Sequence, residues 1–136
     1  MKLLSIILIL IIFPLVSQAQ VPDSLQFKSV PPVVFRSEYR NSENALLIDV
    51  REYFEFKKSR LQDAVNIPST NNFEIPADTI DKDSDLFFYC TSGFRSKKIA
   101  RLFYEKGFTH LYSLDGGINA WKKENLSVDK KRIRKK

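Results

Sequence analysis

Cys90 is the only cysteine in this chain, and its neighbours are suited to chemistry. It follows Leu86-Phe-Phe-Tyr89, a short continuous apolar run, and opens the stretch Cys90-Thr91-Ser92-Gly93-Phe94-Arg95-Ser96. The run fits a strand buried on both faces, as in a parallel sheet. After Arg95, the residues Ile99, Ala100, Leu102 and Phe103 have helical spacing, which continues up to Gly107. Cys90 is therefore expected where a strand ends and a tight turn leads into a helix. In open α/β sheets ligands bind at that edge.

A turn this short constrains what it can hold. Gly93 permits backbone angles closed to other residues. Successive N–H groups in such a turn can face inward as a nest for an anion. The helix N-terminus adds unpaired amides and the positive end of its dipole, and Arg95, Lys97 and Lys98 add charge. A thiolate there has a lowered pKa and is a good nucleophile. The same apolar setting also fits an inert buried cysteine, a common role for a free thiol, and the loop alone does not choose between the two.

The elements that would position this turn follow the same pattern. Val33 to Phe35 reads as a short edge strand and Arg36 to Glu43 as a short helix. Ala45 to Val50 is an apolar strand with Asp49 and Arg51 near its C-terminal end, an arrangement suited to a structural ion pair. Glu52 to Ser59 has helical character, Ala64 to Ile67 is a strand stopped by Pro68, and 71–80 is an irregular or short helical connection. Gly107 suits the C-terminal cap of the helix after Cys90. His110 to Leu114 is a further strand, and Gly116-Gly117 turns into a helix that buries Trp121. Strands alternating with helices predict an α/β fold with a mostly parallel central sheet and helices on both faces.

The ends of the chain have a different composition. Leu3 to Phe13 is apolar except for Ser5, Pro14 interrupts it, and Ser17-Gln18-Ala19 supplies small residues for cleavage. This reads as a secretory signal peptide over residues 1–19, too short to span a bilayer. The protein is then expected to be exported, in the periplasm, with a lead-in over 20–32, one domain over 33–124 and a basic tail over 125–136. One cysteine cannot form an internal disulfide, and a free thiol in an oxidising compartment favours a working role for Cys90. The chain carries a net charge of +6. From Lys122 to Lys136, eight basic residues face only Glu124 and Asp129, so this segment accounts for the whole surplus. It is expected to be solvated, with weak contact to an anionic membrane surface as its one electrostatic use. An exported protein is not expected to bind nucleic acid. His110 lies away from the cysteine, no Cys or His cluster suggests a metal, and no cofactor is expected.

Cys90-Thr-Ser-Gly-Phe-Arg-Ser96 resembles the active-site loop of the rhodanese family of sulfurtransferases, usually C-x-x-G-x-R-S. The resemblance extends to Leu47-Ile-Asp-Val-Arg-Glu52, to Glu55-Phe56 through Asn66-Ile-Pro68, to Gly107-Phe108, and to Leu114-Asp-Gly-Gly-Ile-Asn-Ala-Trp121. The motifs stand in the family's order over about residues 33–124. Ser59-Arg60 replaces the family's usual Gly-His pair and Asp63 a customary Gly, all away from the cysteine loop.

The resemblance implies a rhodanese-like fold and a sulfurtransferase. Cys90 would take sulfur from a small-molecule donor such as thiosulfate, and the loop Thr91, Ser92, Gly93, Phe94 and Arg95 would hold the resulting persulfide. A thiol or cyanide from outside the chain would accept the sulfur. Separately from the resemblance, the protein is expected to be a monomer. Thr91 stands where some members with strong thiosulfate activity carry a basic residue, which counts against thiosulfate as the natural donor. Two other readings are a phosphatase or arsenate reductase-like enzyme and a non-catalytic binding module. Related phosphatase loops place five residues between Cys and Arg; here there are four, Thr91 to Phe94. The presence of the cysteine argues against a non-catalytic module.

Overall fold

The computed structural model describes residues 19–70 and 74–133. The expected signal peptide, apart from Ala19, lies outside them, as do the last three residues of the tail. Eleven elements follow in order: α1 Asp23–Gln26, β1 Lys28–Val30, α2 Pro32–Asn41, β2 Ala45–Asp49, α3 Tyr53–Lys58, β3 Val65–Asn66, α4 Glu74–Thr79, β4 Asp85–Tyr89, α5 Phe94–Glu105, β5 Leu111–Leu114 and α6 Gly117–Lys123. The five strands form one sheet in the order β1-β5-β4-β2-β3, every neighbouring pair parallel.

The central strand β4 shows why both faces are covered. Leu86, Phe88 and Cys90 belong to one core cluster, with Ile99, Ala100, Phe103 and Phe108 from α5 and the turn after it. Phe87 and Tyr89 belong to the other, with Phe35 of α2 and Ile118 and Trp121 of α6. Successive side chains on a strand point to opposite faces, so an unbroken apolar run needs helices on both sides of the sheet.

Two expectations near the N-terminus are corrected. Val33 to Phe35 is the first turn of α2 rather than an edge strand. Pro31 caps the helix in an extended conformation and Pro32 opens it, at the position where a missing N–H is harmless. Helical spacing buries Phe35 at 1% exposure while Val33 and Val34 face solvent. The edge strand is instead β1, inside the expected lead-in, with Lys28 to Val30 paired to Tyr112 to Leu114. Phe27, just before it, is buried in the α5-side core.

The start of the basic tail is also more structured than expected. Lys122 and Lys123 complete α6. Leu126 and Val128 pack on the α6-side core, and Arg60 and Asp129 exchange backbone hydrogen bonds of 2.9 and 2.7 Å. The Arg60 guanidinium adds a 2.7 Å ion pair to Asp129. Lys130, Lys131 and Arg132 are exposed. Among the described residues no helix is long and apolar enough to cross a membrane.

Candidate active site

Because β2, β4 and β5 run parallel, their C-terminal ends converge on one edge of the sheet. β4 stops at Tyr89 and α5 starts at Phe94, so Cys90 to Gly93 must reverse the chain in four residues. Gly93 does this with φ +97, in the left-handed region that favours glycine. A Cβ there would stand 3.3 Å from both the Gly116 nitrogen and the Leu114 carbonyl oxygen.

The turn directs its amides at the cysteine sulfur. The Gly93 N–H donates to Cys90 Sγ at 3.1 Å, and the Ser96 hydroxyl lies 3.8 Å from it. Burial pushes the Cys90 thiol pKa up, but hydrogen bonds from the amides of Ser96, Ser92 and Gly93 and from the Ser96 hydroxyl outweigh this and leave it lowered. Cys90 is 1% exposed, so the sulfur sits at the bottom of the loop. Ser96 is fixed in turn: its hydroxyl reaches the Gly93 carbonyl at 3.1 Å and accepts from Ser113 at 3.0 Å.

A second contact holds the loop from outside. The first amides of α6 bond back to it: Ile118 N–H donates to the Cys90 carbonyl at 2.9 Å and Asn119 N–H to the Thr91 carbonyl at 3.2 Å. Carbonyls drawn toward α6 leave the loop's amides free to face the sulfur. This approach requires Gly117, whose φ is +60 and whose added Cβ would meet the Cys90 and Thr91 backbones at 2.5 Å. The Gly116-Gly117 pair was legible as a turn, but its grip on the cysteine loop was not.

Arg95 does not stand free over the sulfur. Its guanidinium forms a fork with Glu55, Nη1 to Oε2 at 2.9 Å and Nη2 to Oε1 at 3.1 Å, and Nη2 also donates to Thr91 Oγ1 at 3.0 Å. The Thr91 hydroxyl in turn donates to Glu55 Oε1 at 2.9 Å. Arg95 first, then Thr91 and the Glu52 amide, hold the Glu55 carboxyl down at about 2 against the opposing effect of burial. Arg95 is correspondingly raised, chiefly by Glu55 and also by its proximity to Cys90. Sequence reasoning missed Glu55 as a site residue. The clue was its three-residue spacing from Glu52, which forms a capping box at the start of α3 and thereby fixes the Glu55 side chain.

Asp49, Arg51 and His110 fall outside this constellation. Asp49 and Arg51 form a buried pair at 2.6 Å, and Arg51 also donates to the Ser59 carbonyl at 2.7 Å. The pair ties the end of β2 to the end of α3, where Ser59-Arg60 replaces the usual Gly-His. Within the loop, the side chains of Ser92 and Phe94 are exposed, Phe94 at 78%. His110 pairs with Asp85 at 3.0 Å, at the start of β4. That is about 17 Å from Cys90 at ~3.3 Å per strand residue, too far for a Cys-His pair. Among the described residues no group of three or more Cys, His, Asp or Glu could hold a metal.

Residues 36–124 match the family described as the Rhodanese-like domain. The chain is 34% identical over 88 residues to the thiosulfate sulfurtransferase GlpE of Actinobacillus succinogenes, covering 65% of this chain and 78% of that one. It is 32% identical over 88 residues to a sulfurtransferase of Allochromatium vinosum, covering 65% and 81%. The solution structure of a rhodanese-like domain from Anabaena superposes with a TM-score of 0.66 at 21% identity, over 77% of this chain and 79% of that one. A parallel sheet with a cysteine loop at its C-terminal edge, together with the family match over most of the chain, defines the class. This chain belongs to the rhodanese-like family.

Proposed function

We propose that this protein is a sulfurtransferase that moves sulfane sulfur from a donor such as thiosulfate to a thiol or cyanide through a persulfide on Cys90. The observation that carries this is the 3.1 Å bond from the Gly93 amide to Sγ, reinforced by the Ser92 and Ser96 amides. A loop of this size surrounds the Cys90 sulfur with donors, which favours its anionic form as nucleophile and as leaving group. In the first step the Cys90 thiolate attacks the outer sulfur of the donor. A new S–S bond forms, and the bond within the donor breaks with its electron pair leaving on the departing group. In the second step an acceptor nucleophile takes the outer sulfur and the thiolate returns. This is covalent catalysis with preorganised stabilisation of charge. The relatives named as sulfurtransferases support the reading at about one residue in three.

A phosphatase or arsenate reductase would need the loop to surround a tetrahedral oxyanion, with the arginine free to clamp it. Here four residues separate Cys90 from Arg95, and Arg95 is forked to Glu55. The test pairs the wild type with Cys90→Ser, each assayed with thiosulfate plus cyanide or a thiol, and with an aryl phosphate. We expect sulfur transfer by the wild type, a loss of at least about a thousandfold in the variant, and negligible phosphate hydrolysis by either. Undiminished transfer by Cys90→Ser would overturn the assignment.

The reading includes export and action as a monomer. The apolar run before Ala19 supports cleavage after that residue, and N-terminal sequencing of the exported protein, expected to begin at Gln20, checks it. An intact chain retained in the membrane fraction would contradict it. The basic C-terminal residues would give weak, salt-sensitive contact with anionic lipid. Sedimentation of the purified protein tests the monomer.

A further inference from the structure

The charges at the mouth of the loop point to the kind of donor the site accepts. Three basic side chains stand on the loop and the first turn of α5: Arg95, Lys97 and Lys98. Arg95 is neutralised by Glu55, and Lys97 pairs with Asp115 at 3.1 Å. Lys98 is exposed, where solvent and salt screen its pull on an anion. The Thr91 hydroxyl is engaged by Arg95 and Glu55 together. Once Cys90 ionises, an incoming donor meets a thiolate with no uncompensated cation on the loop itself. Thiosulfate brings two negative charges and a sulfonate end that needs cationic or N–H partners. An organic persulfide, R–S–SH, brings at most one charge and an apolar stem. Beside the cradle, Phe94 offers such a stem an aromatic ring at 78% exposure.

We propose that Glu55 is a specificity-determining residue. By occupying Arg95 and Thr91 it biases the loop toward organic persulfide donors and against the thiosulfate dianion, and Phe94 contacts the organic stem. The proposal rests on the Cys90 persulfide chemistry above. In the donor step the Cys90 thiolate attacks the terminal sulfur of R–S–SH. The new bond joins Cys90 Sγ to that sulfur, the R–S–S bond breaks, and R–S⁻ leaves with the electron pair. The proton stays on the transferred sulfur, and no outside oxidant or reductant is needed. Glu55 acts through Arg95 and Thr91 and does not touch the reacting atoms, so it is a positioning residue.

The test measures the single-turnover rate of Cys90 persulfide formation, read by intact mass, with benzyl persulfide, whose stem is uncharged and apolar, and with thiosulfate at equal concentration. Wild type, Glu55→Gln and Phe94→Ala are compared at several ionic strengths. The ratio of the two rates within one protein does not depend on the fraction folded. We expect the wild type to prefer the organic persulfide by about tenfold or more. Glu55→Gln, which frees the charge of Arg95, should raise the thiosulfate rate about five- to tenfold and make it fall with added salt. Phe94→Ala should slow the organic donor alone, by about threefold or more. A wild type that prefers thiosulfate would overturn the proposal, as would a Glu55→Gln variant whose two rates change in equal proportion. A Cys90 that gains sulfur from neither donor refutes the underlying sulfurtransferase reading instead.

Discussion

At the scale of single residues, the site is a balance between burial and hydrogen bonding at Cys90. An apolar pocket alone would keep the thiol protonated; the turn's amides reverse that. Alkylation of Cys90 by a small electrophile should therefore have its half-maximal pH lowered from that of an ordinary thiol. Ser96→Ala removes a hydroxyl near Sγ and the Gly93 carbonyl and should move that midpoint back up, a shift read directly from the rate profile. Glu55 makes the opposite kind of prediction. Its pKa is lowered to about 2 from an ordinary 4.5, so the stabilisation it adds is complete above about pH 4.5. That stabilisation is lost as pH falls through the window down to about 2. Acid unfolding of the wild type and Glu55→Gln should converge at the bottom of this window. Above it the wild type should be more stable by roughly 1–2 kcal/mol, after allowance for solvent screening of a partly exposed pair.

At the scale of elements, the cysteine loop is held by neighbours distant in sequence. α6 grips its carbonyls, α3 grips its arginine and threonine, and β4 delivers its first residue. Gly117→Ala places a methyl group against the Cys90 and Thr91 backbones at a left-handed position. It should cost about 1–3 kcal/mol and depress Cys90 reactivity more than stability, as seen by comparing denaturant midpoints with alkylation rates. Asp49→Ala should act the other way. It orphans Arg51 in a buried site, a loss of about 3–5 kcal/mol, with Cys90 reactivity unchanged in the fraction that remains folded. What could be read from the sequence follows the same division. β4 and its turn were legible because an unbroken apolar run followed by Gly93 has few alternatives. The Glu55–Arg95–Thr91 cluster was not, because its partners lie 36 and 40 residues apart and no local pattern reports which carboxylate a distant arginine will choose. Asp63 adopts φ +64 in the turn where the family customarily has Gly. Asp is one of the few side chains that tolerate this left-handed position.

At the scale of the whole molecule, the parallel sheet sets where chemistry can occur. Its C-terminal edge gathers Cys90 and the turns after β2 and β5, while the opposite edge gathers His110 and Asp85 and leaves that histidine no part in the reaction. The central strands were legible in the sequence; the margins were not. β1 is three residues long, with Lys28 and Ser29 exposed, and an edge strand of this kind shows no apolar alternation. The β-branched Val33-Val34 pair suggested a strand, but Pro31-Pro32 and the burial of Phe35 made that segment a helix. Phe27 anchors the N-terminal segment beneath α5, so Phe27→Ala should cost about 3–5 kcal/mol, measured by thermal or denaturant unfolding. The central claim is that Cys90 carries the transferred sulfur, and intact-mass measurement after exposure to a sulfane donor tests it most directly. The account predicts a single adduct of about 32 Da, one sulfur atom, on wild-type Cys90. The adduct should be discharged by a thiol or cyanide and absent from Cys90→Ser. A wild-type protein that gains no such mass from thiosulfate or an organic persulfide, while its Cys90 remains reactive to alkylation, would contradict it.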